Sequence, residues 1–149
     1  MTSKKFIGQL LVIFLVSFST LAQAKISNSI LSQLNIASTI PGKIKLNVPD
    51  IAENGSSVSI SIDSIAVDDE SVFIESVYIF SSLRKKPVAH FKLGKAVIPE
   101  NIQTRIKLGK TATVSVVVML SDGRALSAKK QIKVTIGGCG GGYYNKRHL

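Results

Sequence analysis

Thiols are almost absent from this chain: Cys139 is the single cysteine in 149 residues. One cysteine cannot close an internal disulfide or build a zinc site that needs several thiolates, so a disulfide-stapled miniprotein and a thiolate zinc module are both excluded. Histidine is as scarce, with only His90 and His148, too far apart in sequence to form a metal site by spacing; His90 reads as an exposed strand residue. Tryptophan is missing and aromatics make up 6% of the chain, mostly within strand-like stretches, so no stacking platform for bases is evident. Acidic residues number 9 against 19 Lys and Arg, a formal charge of +10. Apart from Arg84-Lys85-Lys86 and Lys129-Lys130 the cations are scattered. Steering of small anions or acidic partner proteins therefore uses this charge more economically than nucleic-acid binding does.

Other motifs are weak as chemistry. Asp68-Asp69-Glu70 lacks the alternate-residue spacing of a calcium loop and reads as a solvated turn. Ser121 lies in Ser-Asp-Gly, outside any G-x-S-x-G elbow, which gives hydrolase chemistry no support. Asn54-Gly55-Ser56 fits the glycosylation acceptor pattern and is read as chance.

What is present begins with an export signal. Lys4 and Lys5 form a positive start, residues 6–18 are apolar apart from Gly8, Gln9 and Ser17, and Ala22-Gln23-Ala24 supplies a small-x-small cleavage pattern. The run is shorter than the roughly 20 apolar residues of a spanning helix, so a cleaved leader (1–24) is expected, without stable membrane insertion. Cleavage leaves 125 residues with 17 basic and 9 acidic side chains, a net +8. At 45% apolar composition this is one domain able to bury a core.

Residues 25–136 read as an all-β domain. A helical spacing of Ile26, Ile30, Leu31, Leu34 and Ile36 predicts a short N-terminal helix stopped by Pro41-Gly42. Period-two alternation follows in Ile44-Leu46-Val48 and Val58-Ile60-Ile62, with Glu53-Asn54-Gly55-Ser56 as the turn between them. Residues 72–80 are β-branched and aromatic on both faces, as in a central strand. Ala89-Phe91-Leu93 and Ile102-Thr104-Ile106-Leu108 read as strands with one wet face. Residues 113–120 form a nearly continuous Val run, Asp122-Gly123 centres a hairpin turn, and residues 131–136 return. About seven regularly spaced strands with little helix make the pattern of an immunoglobulin-like β-sandwich.

Such a fold hosts many functions, so function has to be sought in a site. Directly after the last strand stands Gly137-Gly138-Cys139-Gly140-Gly141-Gly142. Glycines have no side chains to bury and lose the most backbone entropy on ordering, so residues 137–149 are expected to be a flexible arm. It projects the sulfur about 10 Å beyond Ile136 at about 3.3 Å per residue. A tethered thiol suits covalent carriage, because the tether raises the local concentration of whatever is attached at each docked partner. An intermolecular disulfide and an incidental cysteine remain open on composition alone. A thiol-disulfide oxidoreductase is disfavoured by the missing resolving cysteine.

The glycine-flanked cysteine after Val134-Thr135-Ile136 resembles the sulfur-carrier Y subunit, SoxY, of the bacterial periplasmic thiosulfate-oxidising Sox system. The resemblance extends upstream, in order, through residues 48–55 (Val-Pro-Asp-Ile-Ala-Glu-Asn-Gly), Val77-Tyr78-Ile79-Phe80, residues 104–108 and Met119-Leu120-Ser121-Asp122-Gly123. It implies that Cys139 carries the sulfur substrate covalently and that Gly137, Gly138, Gly140 and Gly141 give the arm its freedom. It implies a carrier subunit, with no catalytic residue, metal or cofactor of its own. The implied partners are a Z subunit in a heterodimer, a haem-containing c-type cytochrome, a sulfate-releasing hydrolase and, in some organisms, a sulfane dehydrogenase. The implied location is the periplasm.

The bottom-up chemistry agrees, since a thiolate forms sulfur–sulfur bonds and nearby positive charge favours it. Lys146 and Arg147 are candidates for that role and for steering anions; a solvated tail that aids solubility is the plainer reading of the same residues. Two features depart from the family pattern. A tail, residues 142–149, follows the motif, which in the family closes the chain or nearly so. Lys4-Lys5 also stands where many members carry a twin-arginine signal, which points to the general secretory route.

Overall fold

The computed structural model describes residues 26–95 and 101–136. The expected leader (1–24), the arm with Cys139 and its four flanking glycines, and the tail with Lys146 and Arg147 lie outside the described residues. Among the described residues no helix is long and apolar enough to cross a membrane.

Among the described residues one helix, α1 (Asn28–Leu34), precedes nine strands: β1 (Ile40–Pro41), β2 (Ile44–Asn47), β3 (Ile51–Asn54), β4 (Val58–Ile65), β5 (Ile74–Ser81), β6 (Ala89–Lys92), β7 (Ile102–Ile106), β8 (Ala112–Leu120) and β9 (Ala125–Ile136). They form two sheets. The larger runs β1-β9-β8-β5-β6, with β3 also paired to β9; the smaller runs β2-β4-β7. This is the expected β-sandwich, with two short strands more than the alternation suggested.

Each element follows from its residues. Asn35 ends α1 in the left-handed region (φ 53°), which Asn tolerates, and Ile36 N–H bonds back to the Leu31 carbonyl at 3.0 Å. The helix is therefore stopped earlier than Pro41-Gly42, whose actual part is different. Pro41 closes β1, and Gly42 at φ +85° turns the chain from the large sheet into the small one within two residues. Gly123 (φ +84°) and the Asp122 carboxylate, which accepts the Arg124 N–H at 2.9 Å, form the expected β8–β9 turn.

The core lies between the sheets. Ile60, Ile62, Ile106 and Leu108 on the small-sheet side meet Val77, Ile79, Val114, Val116, Val118 and Ile132 of the large sheet. Each such fully buried aliphatic side chain contributes roughly 1.5–3 kcal/mol of transfer free energy. The outer face of the large sheet is partly covered as well: Ile30 and Leu34 of α1 pack with Phe80, Val117 and Ala125. Burial on both faces explains why β8 is Val-rich at successive positions instead of alternating.

Candidate functional site

The strand that leads towards Cys139 is the longest among the described residues. β9 runs 12 residues to Ile136, three positions before the thiol, and the expected return strand at 131–136 is its second half. Its central position depends on short partners. On one side β8 pairs with it in antiparallel fashion from Met119↔Ala125 to Ala112↔Ile132. On the other side β1 pairs in parallel near its start (Ile40↔Leu126) and β3 in parallel at its end (Ile51↔Lys133, Ala52↔Val134, Asn54↔Ile136).

Beyond Ile132 the β8 ladder stops, and side chains take over. Thr111 Oγ1 accepts the Val134 N–H at 3.1 Å, and Thr135 donates its hydroxyl to the Glu53 carbonyl at 3.1 Å. Asp50 closes the same stretch: its carbonyl accepts the Lys133 N–H at 2.9 Å, and its carboxylate pairs with Lys130 Nζ at 2.9 Å. Lys130 Nζ also donates to the Val48 carbonyl at 3.1 Å. Backbone groups without a ladder partner need other ones, and here residues 133–135 of β9 obtain them from residues 50–54 and Thr111.

Residues 53–56, expected as a turn, thus divide. Glu53 and Asn54 belong to β3, and the turn begins at Gly55, where Asn54 Oδ1 accepts the Ser56 N–H at 2.8 Å. The alternation rule missed β3 because only Ala52 of its four residues is buried. The readable signal was the Val-Pro-Asp-Ile-Ala-Glu-Asn-Gly segment itself.

Charged groups with displaced titration gather at the opposite end of the sandwich. Lys43 hydrogen-bonds to Asp68 at 2.8 Å and holds its carboxyl below the usual range. The Ser71 hydroxyl and then its N–H do the same for Asp69, and the Arg124 backbone N–H for Asp122. Asp68-Asp69-Glu70 is the solvated loop expected from its spacing. Among the described residues no group of three His, Cys, Asp or Glu side chains could hold a metal ion. His90 is exposed on β6 and stacks on Tyr78, with ring centroids 4.2 Å apart and planes 7° from parallel.

The family model described as sulfur oxidation protein SoxY matches residues 33–139, and its match ends on Cys139. The chain belongs to the SoxY family. The sulfur carrier protein SoxY from Chlorobium limicola f thiosulfatophilum is similar in structure, with a TM-score of 0.57 and 26% identity over 75% of this chain and 97% of that one. A superoxide reductase (neelaredoxin) from Ignicoccus hospitalis matches at 14% identity over 62% of this chain and 80% of its own, TM-score 0.51. A putative superoxide reductase from Thermotoga maritima matches at 13% over 65% and 87%, also at 0.51. At such identities these two share the fold alone. No curated protein matches the chain. Membership makes this a sulfur-oxidation protein of a carrier family, and SoxY chains imply Sox-system partners in general.

Proposed function

We propose that this chain is a periplasmic, non-catalytic carrier that binds sulfur oxidation intermediates covalently on Cys139 and presents them to successive enzymes. The observation that carries the reading is the family match that runs to Cys139 and ends there. The structural support is a 12-residue strand pinned on both edges that delivers the chain to within three residues of that cysteine.

The chemistry balances with an external oxidant. The Cys139 thiolate and the sulfane sulfur of thiosulfate form a sulfur–sulfur bond, giving an S-thiosulfonate and two electrons that pass to a c-type cytochrome partner. Water then cleaves the bond to the sulfonate, releasing sulfate and two protons and leaving a persulfide on Cys139. A sulfane dehydrogenase would oxidise that remaining sulfur. A Z subunit is the proposed heterodimer partner, and the general secretory route the proposed path of export.

Intact mass spectrometry of the protein from thiosulfate-fed cells tests the reading. A reducible adduct of thiosulfate or sulfur mass on Cys139, absent from Cys139→Ser, is expected. A covalent dimer with no such adduct overturns carriage in favour of an intermolecular disulfide.

A further inference from the structure

A pocket lined by cations and hydroxyls opens on the outer face of the large sheet, at the end from which β9 leaves. It measures about 500 Å³ and lies between α1, the end of β5 with the loop after it, and the start of β8. Its lining carries three cations, Arg84, Lys85 and Lys129, and no carboxylate. Neither Arg84 nor Lys85 has an ion-pair partner among the described residues. Arg84 and Lys85 thus bring positive charge without an ion-pair partner to the rim of this cleft.

The walls supply neutral donors as well. Six lining residues bear hydroxyls, and two of them, Ser81 and Ser115, are at least nine-tenths buried. Ser81 Oγ accepts the Leu83 N–H at 3.3 Å, and Ser82 Oγ accepts the Thr113 N–H at 3.0 Å. A hydroxyl that accepts a backbone N–H still has its own proton to donate. The same bonds fix the loop, together with Arg84 N–H to the Ser81 carbonyl at 3.0 Å and Ser82 N–H to the Thr113 carbonyl at 2.9 Å. The donors are thus held in place before any ligand arrives.

We infer that this pocket binds a small tetrahedral oxyanion, of the sulfate and thiosulfate class, non-covalently between Arg84, Lys85 and the serine hydroxyls. A guanidinium fork and hydroxyl donors match tetrahedral oxygens, and charge-assisted bonds of this kind are about twice as strong as neutral ones. The open mouth leaves the ion partly hydrated, which places its affinity in the weak range suited to loading and release. The site does not depend on Cys139. Its consequence for a sulfur-oxidation protein is a local store of substrate or product anion beside β9, whose Ile136 precedes Cys139 by three residues.

The test is an NMR titration of the purified protein with sodium sulfate, which forms no adduct with a thiol, at ionic strength held constant with sodium chloride. Saturable shifts of the Leu83, Arg84 and Thr113 amides are expected, and thiosulfate should compete for the same site. Arg84→Gln with Lys85→Gln should weaken binding by about tenfold or more, as loss of charged donors predicts. The control Lys92→Gln with Lys95→Gln removes the same two charges from exposed positions elsewhere and should leave affinity within about twofold of the parent. Shifts that grow linearly without saturating, that persist in the Arg84/Lys85 variant, or that fall equally in the Lys92/Lys95 control overturn the proposal.

Discussion

Thr135 donates its hydroxyl to the Glu53 carbonyl oxygen at 3.1 Å, binding the penultimate residue of β9 to β3 four residues before Cys139. Together with Thr111, which accepts the Val134 N–H, it ties residues 134 and 135 of β9 to neighbouring stretches of the chain. Replacing both, Thr111→Val with Thr135→Val, should cost about 1 kcal/mol overall, since exposed hydrogen bonds contribute at the low end of their range. The sharper readout is local. Hydrogen exchange at Val134 should accelerate well beyond that at Val116 in the middle of β8; equal changes at both would sink the assignment of these threonines as an end clamp.

Lys130 and Asp50 make an asymmetric pair. The Asp50 side chain is 85% exposed and that of Lys130 38%, and surface ion pairs contribute little. Lys130 additionally satisfies the Val48 carbonyl. Asp50→Asn should therefore change stability by under about 0.5 kcal/mol, whereas Lys130→Met should cost about 1 kcal/mol. Chemical denaturation of the two variants checks the order, and the reverse order would refute it.

Ile132 is fully buried on β9, while Ile51 on β3 is 56% exposed. Ile132→Ala should destabilise by about 2–4 kcal/mol, the transfer and cavity cost of a core aliphatic. Ile51→Ala should stay within about 0.5 kcal/mol. Thermal unfolding of both variants decides; comparable losses would mean that Ile51 is covered.

Asp68, Asp69 and Asp122 all have carboxyls held below the usual value of 3.8. A folded pKa below the unfolded one means that the unfolded chain binds more protons, so the stabilisation is fully present above about pH 4 and fades as pH falls through the lower folded values. Lys43→Met should move the Asp68 titration, followed by carboxyl NMR, up towards 3.8 and leave Asp69 nearly unchanged. An unmoved Asp68 would show that Lys43 is not its cause.

Lys146 and Arg147 follow the proposed carrier thiol at a distance of seven and eight residues. If they favour the thiolate, replacing both with Gln raises the pKa of Cys139, measured by the pH dependence of alkylation. An unchanged alkylation profile would return them to the role of a solvated tail.

Much of the fold was legible because its signals are local. The Asp122-Gly123 turn, the Val run of β8 and the two-faced apolar pattern of β5 each state their structure within ten residues. β1 and β3 were not legible. They hold two and four residues, and they exist because β9, more than 70 residues later, offers them an edge. The first half of β9 was missed for a related reason: Ala125, Leu126 and Ser127 are buried in succession, which hides the period of two. The candidate thiol was singled out by its flanking glycines, and the resemblance to the family gave it its expected role. The strand that flanks its point of departure was visible only as a segment resembling the family, and the basic pocket combines residues from four elements that no spacing rule connects.

The ladders on both edges of β9 also have a mechanical meaning. A partner that grips the chain beyond Ile136 and pulls along the strand loads the bonds to β1, β3 and β8 across their length, all at once. Bonds loaded in this way share the force, whereas a strand peeled from an end breaks them one by one. The domain is thus built to be tugged by its last strand without unravelling.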